Sequence, residues 1–188
     1  MKYLTSLIIV SIVLILIAYS CKKAGSNTLP LITQTGANTF GCLINGNVFT
    51  PGGALAGGNL NAIYQYEYTA PGAINPSGFE FVLNGTDERN SCNVTSIEFE
   101  FDSVLMFADT YQLLAPKAGS GYGIYSNFNC NGTHFDLNTS DSVTGQLIMT
   151  RFDLTNQIAS GTFWFNVLGN DGNITHITDG RFDVHFIY

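Results

Sequence analysis

The sequence is short of charged residues, and of positively charged ones above all. Charged residues make up 11% of the 188-residue chain. From residue 39 onward it has fourteen acidic side chains and four basic ones, which gives a net charge near −10 (4 − 14). Such a surface repels phosphate backbones and anionic lipid headgroups. We therefore expect no nucleic-acid partner, and no direct attachment of this region to an anionic membrane surface.

Recognisable catalytic motifs are also missing. The chain has no Gly-x-Ser-x-Gly, no His-Glu-x-x-His and no phosphate-binding loop. Its three histidines, His134, His176 and His185, are scattered, and no cysteine has the spacing of a metal site. We predict a protein that is not an enzyme, with no catalytic residue, metal or cofactor. An enzyme of unrecognised type would need a pocket in which carboxylates, or a histidine and a carboxylate, converge.

Two acidic patterns have a plain structural interpretation. Glu98, Glu100 and Asp102 alternate along one predicted strand at steps of about 7 Å, so they are expected to form a solvated face and not to flank a cleft. Asp171 and Asn173 lie in a Gly-Asn-Asp-Gly turn and offer two oxygen ligands, which is far fewer than calcium needs. Neither pattern predicts a site.

Helical patterning is missing as well. No run of ten or more residues combines apolar side chains at three- and four-residue spacing with good caps. Short alternating stretches instead recur every 8–12 residues or so, separated by turn residues. This pattern predicts an all-β fold, an antiparallel β-sandwich with an up-and-down β-barrel as the alternative. Uneven loop lengths and the lack of an internal repeat favour the sandwich.

The clearest strands lie at the C-terminal end, where residues 145–188 are predicted to form three successive strands. In the second of them, apolar residues face the core and Trp164 faces outward. In the last strand the predicted inward residues are Phe182, Val184, Phe186 and Tyr188, and the outward ones are Arg181, Asp183 and His185. Asp179-Gly180 is expected to supply a positive-φ turn or bulge.

Earlier strands are predicted from the same alternation. Residues 39–49 should form a hairpin around Asn45-Gly46, the dipeptide best suited to a type I′ turn. A later strand should end at Asn84-Gly85, and residues 104–108 should form a helical turn or a buried segment. The remaining strands are predicted over residues 62–68, 79–83, 94–101, 110–114, 123–127 and 133–137.

The N-terminus bears on location. Residues 4–19 form an apolar run that is followed by Ser20-Cys21. A bilayer-spanning helix needs about 20 residues, so this run better suits a secretory signal. It resembles the lipobox of bacterial lipoproteins, although Ala18 and Tyr19 depart from the usual pattern. The resemblance implies cleavage before Cys21 and lipidation of that cysteine. The alternative is an ordinary signal, or an anchor helix with an incidental cysteine.

Three segments are therefore expected. Residues 1–20 are a cleaved lipoprotein signal helix, residues 21–38 are the lipidated cysteine and a flexible tether, and residues 39–188 are a single all-β domain. The expected location is the cell envelope, with the lipid anchor as the membrane contact. The outer membrane is favoured over the inner one, and the facing side is left open.

Export would place the remaining cysteines in an oxidising compartment, where a disulfide can persist. Cys42, Cys92 and Cys130 allow three single bridges. Cys92 and Cys130 lie in polar, loop-like stretches, which favours a bridge between them. Cys42 would then be a buried free thiol.

Four aromatic residues are the candidate ligand-binding residues: Tyr64, Tyr66, Tyr68 and Trp164. The tyrosines share one face of a predicted strand, and a flat aromatic strip can stack on sugar rings. Tyrosine also suits a half-buried strand, with its ring in the core and its hydroxyl at the rim. Exposure decides between the two interpretations.

Three motifs resemble a family of Gram-negative bacterial lipoproteins with an uncharacterised all-β domain. They are the opening Thr39-Phe-Gly-Cys-x-x-Asn-Gly46, the central Ser160-Gly-x-Phe-x-Phe165 and the closing Ile177-Thr-x-Gly-Arg-Phe-Asp-Val184. The resemblance implies a fold and an envelope location but no activity. We expect a lipid-anchored, non-enzymatic binding or structural module whose partner is a glycan or an envelope protein. The alternative is a carbohydrate-binding module of a glycan-handling system.

Overall fold

The computed structural model describes residues 28–53, 59–69 and 77–188. Within these residues the chain forms eleven strands and no helix, which confirms the all-β prediction. The strands are β1 Thr39–Ile44, β2 Asn47–Phe49, β3 Leu60–Glu67, β4 Gly78–Asp87, β5 Asn93–Phe101, β6 Thr110–Leu113, β7 Gly121–Asn129, β8 His134–Asn138, β9 Gly145–Asp153, β10 Ile158–Leu168 and β11 Ile174–His185.

All eleven strands belong to one sheet in the order β2-β1-β11-β10-β9-β6-β7-β5-β4-β3, with β8 added beside β7. Neighbouring strands are antiparallel except β6 and β7, which share the single parallel pair Leu113 and Gly121. This narrow junction divides the sheet into two halves. One isolated bridge joins Ile63 to Ile187, but the sheet of the described residues stays open, so the barrel alternative is wrong.

The two halves pack face to face as a sandwich. Phe99 of β5 contacts Phe163 and Phe165 of β10 with ring centroids 4.5 and 5.6 Å apart. Phe81 of β4 contacts Phe152 of β9 at 5.9 Å. Burying a side chain of this size stabilises the fold by about 1.5–3 kcal/mol. The phenylalanines on alternate positions of these strands therefore form the core between the halves.

The C-terminal strands β9, β10 and β11 follow one another as predicted. Asp179 has a positive φ of 52°, and the pairing of β10 with β11 shifts register beside it, so the predicted bulge is present. Two side chains of the last strand differ from prediction. Tyr188 is exposed, because β11 ends at His185 before it. Asp183 points outward from the core but is buried.

The β1–β2 hairpin agrees with its prediction, whereas the end of β4 does not. The hairpin between β1 and β2 turns at Asn45 and Gly46, both with positive φ, as predicted. Strand β4 runs through Asn84-Gly85, which was predicted to end it. A side chain at Gly85 would meet the Phe40 ring at 3.0 Å, so this glycine permits close packing and does not make a turn. Residues 104–108 form neither helix nor strand, and only Met106 among them is buried.

Residues 28–38, which we call the strap, lie across the outer face of β9, β10 and β11. Arg151 donates a hydrogen bond to the carbonyl of Gln34, and Arg181 donates one to the carbonyl of Pro30 at 3.4 Å. Gly36 packs against the His185 ring. These residues belong to the predicted flexible tether, and in the structure they are part of the domain.

Candidate functional site

Trp164 lies in a groove on the outer face of the C-terminal strands. The groove has a volume of about 260 Å³ and is lined by side chains of the strap and of three strands, among them Ile32, Gln146, Ile148, Thr162, Asp179 and Arg181. Register explains this set. Trp164 pairs with Gln146, and Thr162 pairs with both Ile148 and Arg181, so alternation along each strand brings them to one face.

The groove combines an exposed aromatic ring with polar groups that have no partner. The Trp164 side chain is 42% exposed. Within the described residues, the side chains of Gln146, Thr162 and Asp179 make no hydrogen bond. Arg181 donates a hydrogen bond to the backbone carbonyl of Asp179 at 3.2 Å, so it does not pair with the Asp179 carboxylate. These groups are available to a ligand.

Asp183 holds the strap that forms one wall of this groove. It is only 1% exposed, and its two oxygens accept hydrogen bonds at 2.6–3.3 Å from six donors: Thr33 Oγ1, Thr35 N, Thr35 Oγ1, Gly36 N, Ala37 N and Ser160 Oγ. Burial alone would raise the pKa of Asp183. The hydrogen bonds led by those from Thr33 and Ser160 outweigh it and hold the pKa well below its ordinary value.

Arg181 and Asp183 share the outer side of the last strand but do not pair with each other. Arg181 contacts backbone carbonyls, and Asp183 is enclosed by the strap. The sequence pattern placed Asp183 correctly on the outer side of the strand. It carried no signal that a segment about 150 residues away covers that side.

The three candidate tyrosines do not form one platform. Tyr64 is 3% exposed and stacks on Phe79 and Tyr188 at centroid distances of 5.0 and 5.8 Å, so it belongs to the core. Tyr66 and Tyr68 are 56% and 80% exposed. None of the three lines the Trp164 groove. Burial of Tyr64 removes the flat strip that a sugar would need there.

A second cavity, of about 370 Å³, lies on the outer face of the other half of the sandwich. It brings Glu98 of β5 together with Asp136 of β8 and Tyr122 of β7. Burial raises the pKa of Glu98, a hydrogen bond from Asn84 at 2.7 Å opposes this, and neighbouring carboxylates raise it further. Glu98 was predicted to face water, and it is half-buried.

Asp136 was missed because sequence alone does not show that β8 adds to β7, where it pairs with Ser126. The cavity is thus lined by two carboxylates, from Glu98 and Asp136. One of them, Glu98, already has the Asn84 amide as a partner.

The described residues contain no group of three or more His, Cys, Asp and Glu side chains that could hold a metal. The Asp171 carboxylate accepts hydrogen bonds from the backbone and side chain of Asn173 at 3.0 and 2.8 Å. These two residues therefore stabilise their own turn, as tight turns commonly do. His176 contacts Asn166, and His134 contacts Asp136.

Cys92 and Cys130 form a disulfide with their Cα atoms 4.6 Å apart. They extend the paired ends of β5 and β7, where Asn93 is opposite Asn129. Cys42 is a buried free thiol. The predicted signal and the lipidation residue Cys21 lie outside the described residues.

No family model, no curated protein and no solved structure matches the chain. Among the residues that the structure describes, none belongs to a helix long and apolar enough to cross a membrane. The resemblance to envelope lipoproteins stays a prediction.

Proposed function

We propose that this protein is a lipid-anchored cell-envelope protein whose all-β domain is a non-enzymatic binding module. The lipobox-like sequence ending at Cys21 supports the anchor. The observation that carries the proposal furthest is the seating of the strap. Arg181 and Asp183 hold the chain to the domain from Pro30 onward, so half of the predicted tether, residues 30–38, contacts the domain.

The position of Pro30 limits how far the domain can lie from a lipid on Cys21. Pro30 is the ninth residue after Cys21. A fully extended chain of that length spans at most about 30–32 Å. A lipid on Cys21 would hold the strap, and the groove beside it, within this distance of the membrane surface. The domain would then bind components close to the membrane from which it is anchored.

Metabolic labelling with palmitate tests the anchor. We expect label on the wild-type protein and on a Cys42→Ser control, because Cys42 is buried in the domain. Cys21→Ser should lose the label and leave the membrane fraction. Unchanged labelling of Cys21→Ser would refute the lipid anchor.

A second candidate function is a carbohydrate-binding module. The observation that favours it is the Trp164 groove, and the tyrosine strand no longer supports it because Tyr64 is buried. A glycan array probed with the detergent-solubilised full chain tests this candidate. Failure to bind any glycan would reject the carbohydrate function and leave the lipid-anchor proposal standing.

A further inference from the structure

We propose that the Trp164 groove binds one uncharged pyranose ring, which stacks on the indole and is hydrogen-bonded by Gln146, Thr162 and Asp179. This inference rests on the carbohydrate function proposed above and assigns it to one site. It places the ligand on the outer face of β9, β10 and β11 and not on the exposed tyrosines of β3.

The apolar part of the groove suits the face of a sugar ring. Trp164 offers a large, partly exposed aromatic surface, and Ile148 and Ile32 extend the apolar lining beside it. Aromatic rings pack well against flat partners and retain a polar N–H for a hydrogen bond. One face of a pyranose consists mainly of C–H groups, so it can displace water from this surface.

The polar part of the groove suits sugar hydroxyls. Asp179 supplies an acceptor, Gln146 supplies both a donor and an acceptor, and the Thr162 hydroxyl can act as either. Within the part of the chain that the structure describes, these three side chains have no other partner. A ligand with several hydroxyls on one ring would satisfy them together. A purely apolar ligand would leave them unpaired, which is unfavourable.

Size and charge narrow the ligand further. Pockets for drug-sized ligands enclose ~300–1,000 Å³, so a groove of about 260 Å³ suits a single ring. Asp179 and Arg181 give the groove one charge of each sign, and the acidic domain disfavours anionic sugars. These charges also disfavour insertion of this face into a bilayer, because a carboxylate is costly to bury in lipid.

Trp164 is the only tryptophan in the chain, so its fluorescence reports directly on the groove. The full-length protein in detergent would be titrated with methyl glycosides of glucose, galactose, mannose, N-acetylglucosamine and N-acetylgalactosamine. At least one of them should change the Trp164 emission in a saturable way. Asp179→Asn and Gln146→Ala should each weaken that binding by about tenfold.

Matched variants separate the groove from other aromatic surfaces. Trp164→Ala should reduce glycan binding on an array by roughly 30-fold or more, as expected for a central aromatic anchor. Tyr66→Ala and Tyr68→Ala should leave it unchanged. Unfolding temperatures would be measured for every variant, and Asp179→Asn keeps the shape of a residue that has positive φ.

Three outcomes would overturn the assignment. The first is an emission spectrum that none of the glycosides changes. The second is array binding that is lost in the tyrosine variants but retained in Trp164→Ala, which would preserve the carbohydrate function while moving its site. The third is quenching of Trp164 by brominated phosphatidylcholine in proteoliposomes, which would show that the groove rests on the membrane.

Discussion

At the scale of single residues, Asp183 attaches the strap to the domain. One carboxylate satisfies three backbone N–H groups of the strap and three hydroxyls. A buried donor left without a partner costs about 1–3 kcal/mol. The strap itself buries little apolar surface, since Leu31 and Ile32 are exposed. Its attachment therefore depends on hydrogen bonds to this residue.

Asp183→Asn should destabilise the protein by about 2–4 kcal/mol in urea unfolding, because an amide turns an N–H₂ group toward donors that need an acceptor. Asp179→Asn, at an unpaired site on the same strand, is the control and should change stability little. Equal stability of wild type and Asp183→Asn would contradict the role assigned to the carboxylate.

The effect of Asp183 should also depend on pH. Its pKa is lower in the folded state than in the unfolded chain, so its contribution is complete above the unfolded pKa of about 3.9. It is lost as the pH falls through the lower folded pKa. The difference in stability between wild type and Asp183→Asn should therefore shrink below about pH 4. A difference that is the same at pH 7 and pH 2.5 would speak against this mechanism.

The pKa shift of Glu98 has the opposite sign to that of Asp183, so its effect on stability changes with pH in the opposite direction. Burial and neighbouring carboxylates raise its pKa in the fold, so it favours folding below its unfolded pKa and opposes folding as the pH rises through the folded value. Glu98→Gln keeps an acceptor for Asn84 and should stabilise the protein at pH 7 by about 0.2–1 kcal/mol. The gain should vanish near pH 4. Glu67→Gln, at an exposed position of β3, is the control, and a pH-independent gain would argue against burial of charge.

At the scale of elements, the cysteines of the domain differ in reactivity, because Cys92 and Cys130 form a disulfide and Cys42 is a buried free thiol. Burial raises the pKa of the Cys42 thiol, so the native protein should resist alkylation there. Denaturation without reductant should expose Cys42 to iodoacetamide, while Cys92 and Cys130 should react only after reduction. Peptide mass spectrometry distinguishes these cases. Alkylation of Cys92 in the unreduced protein would show that the bridge is absent.

How much of the fold could be predicted also differs between elements. Alternation in β10 predicts the buried side of Phe163 and Phe165, because a strand has a period of two and one face must meet the core. The length of β4 could not be predicted, since Gly85 serves packing against Phe40 and resembles a turn signal only in sequence. The tyrosines of β3 show a further limit. Alternation predicts that all three side chains share one face of the strand, but only Tyr64 is buried.

The groove and the second cavity depend on contacts that are distant in sequence. Trp164 could be predicted as outward-facing, but the polar groups around it come from its own strand and two neighbouring strands, and the strap adds Ile32. The register between β10 and β11 shifts at the bulge at Asp179. Asp136 meets Glu98 only because β8 returns beside β7. Pairing between strands determines such sites, and one sequence carries little information about pairing.

At the scale of the whole molecule, the strap links the expected anchor to the groove. It emerges from the segment that follows Cys21, contributes Ile32 to the groove wall and is then held by Asp183. The fraction of molecules with the strap bound to the domain and the environment of Trp164 should therefore change together. This coupling can be measured without a ligand.

In Asp183→Asn, release of the strap would remove Ile32 from the groove and expose the indole to water. The Trp164 emission maximum should shift to longer wavelength, and acrylamide should quench it more strongly. In the wild-type protein the Asp183 carboxylate stays ionised until the pH falls well below its ordinary pKa, so the emission at pH 4 should match that at pH 7. Asp136→Asn, in the other half of the sandwich, should leave the emission unchanged. An unchanged spectrum in Asp183→Asn would show that the strap and the groove are independent, because Trp164 is the only tryptophan that could report the change.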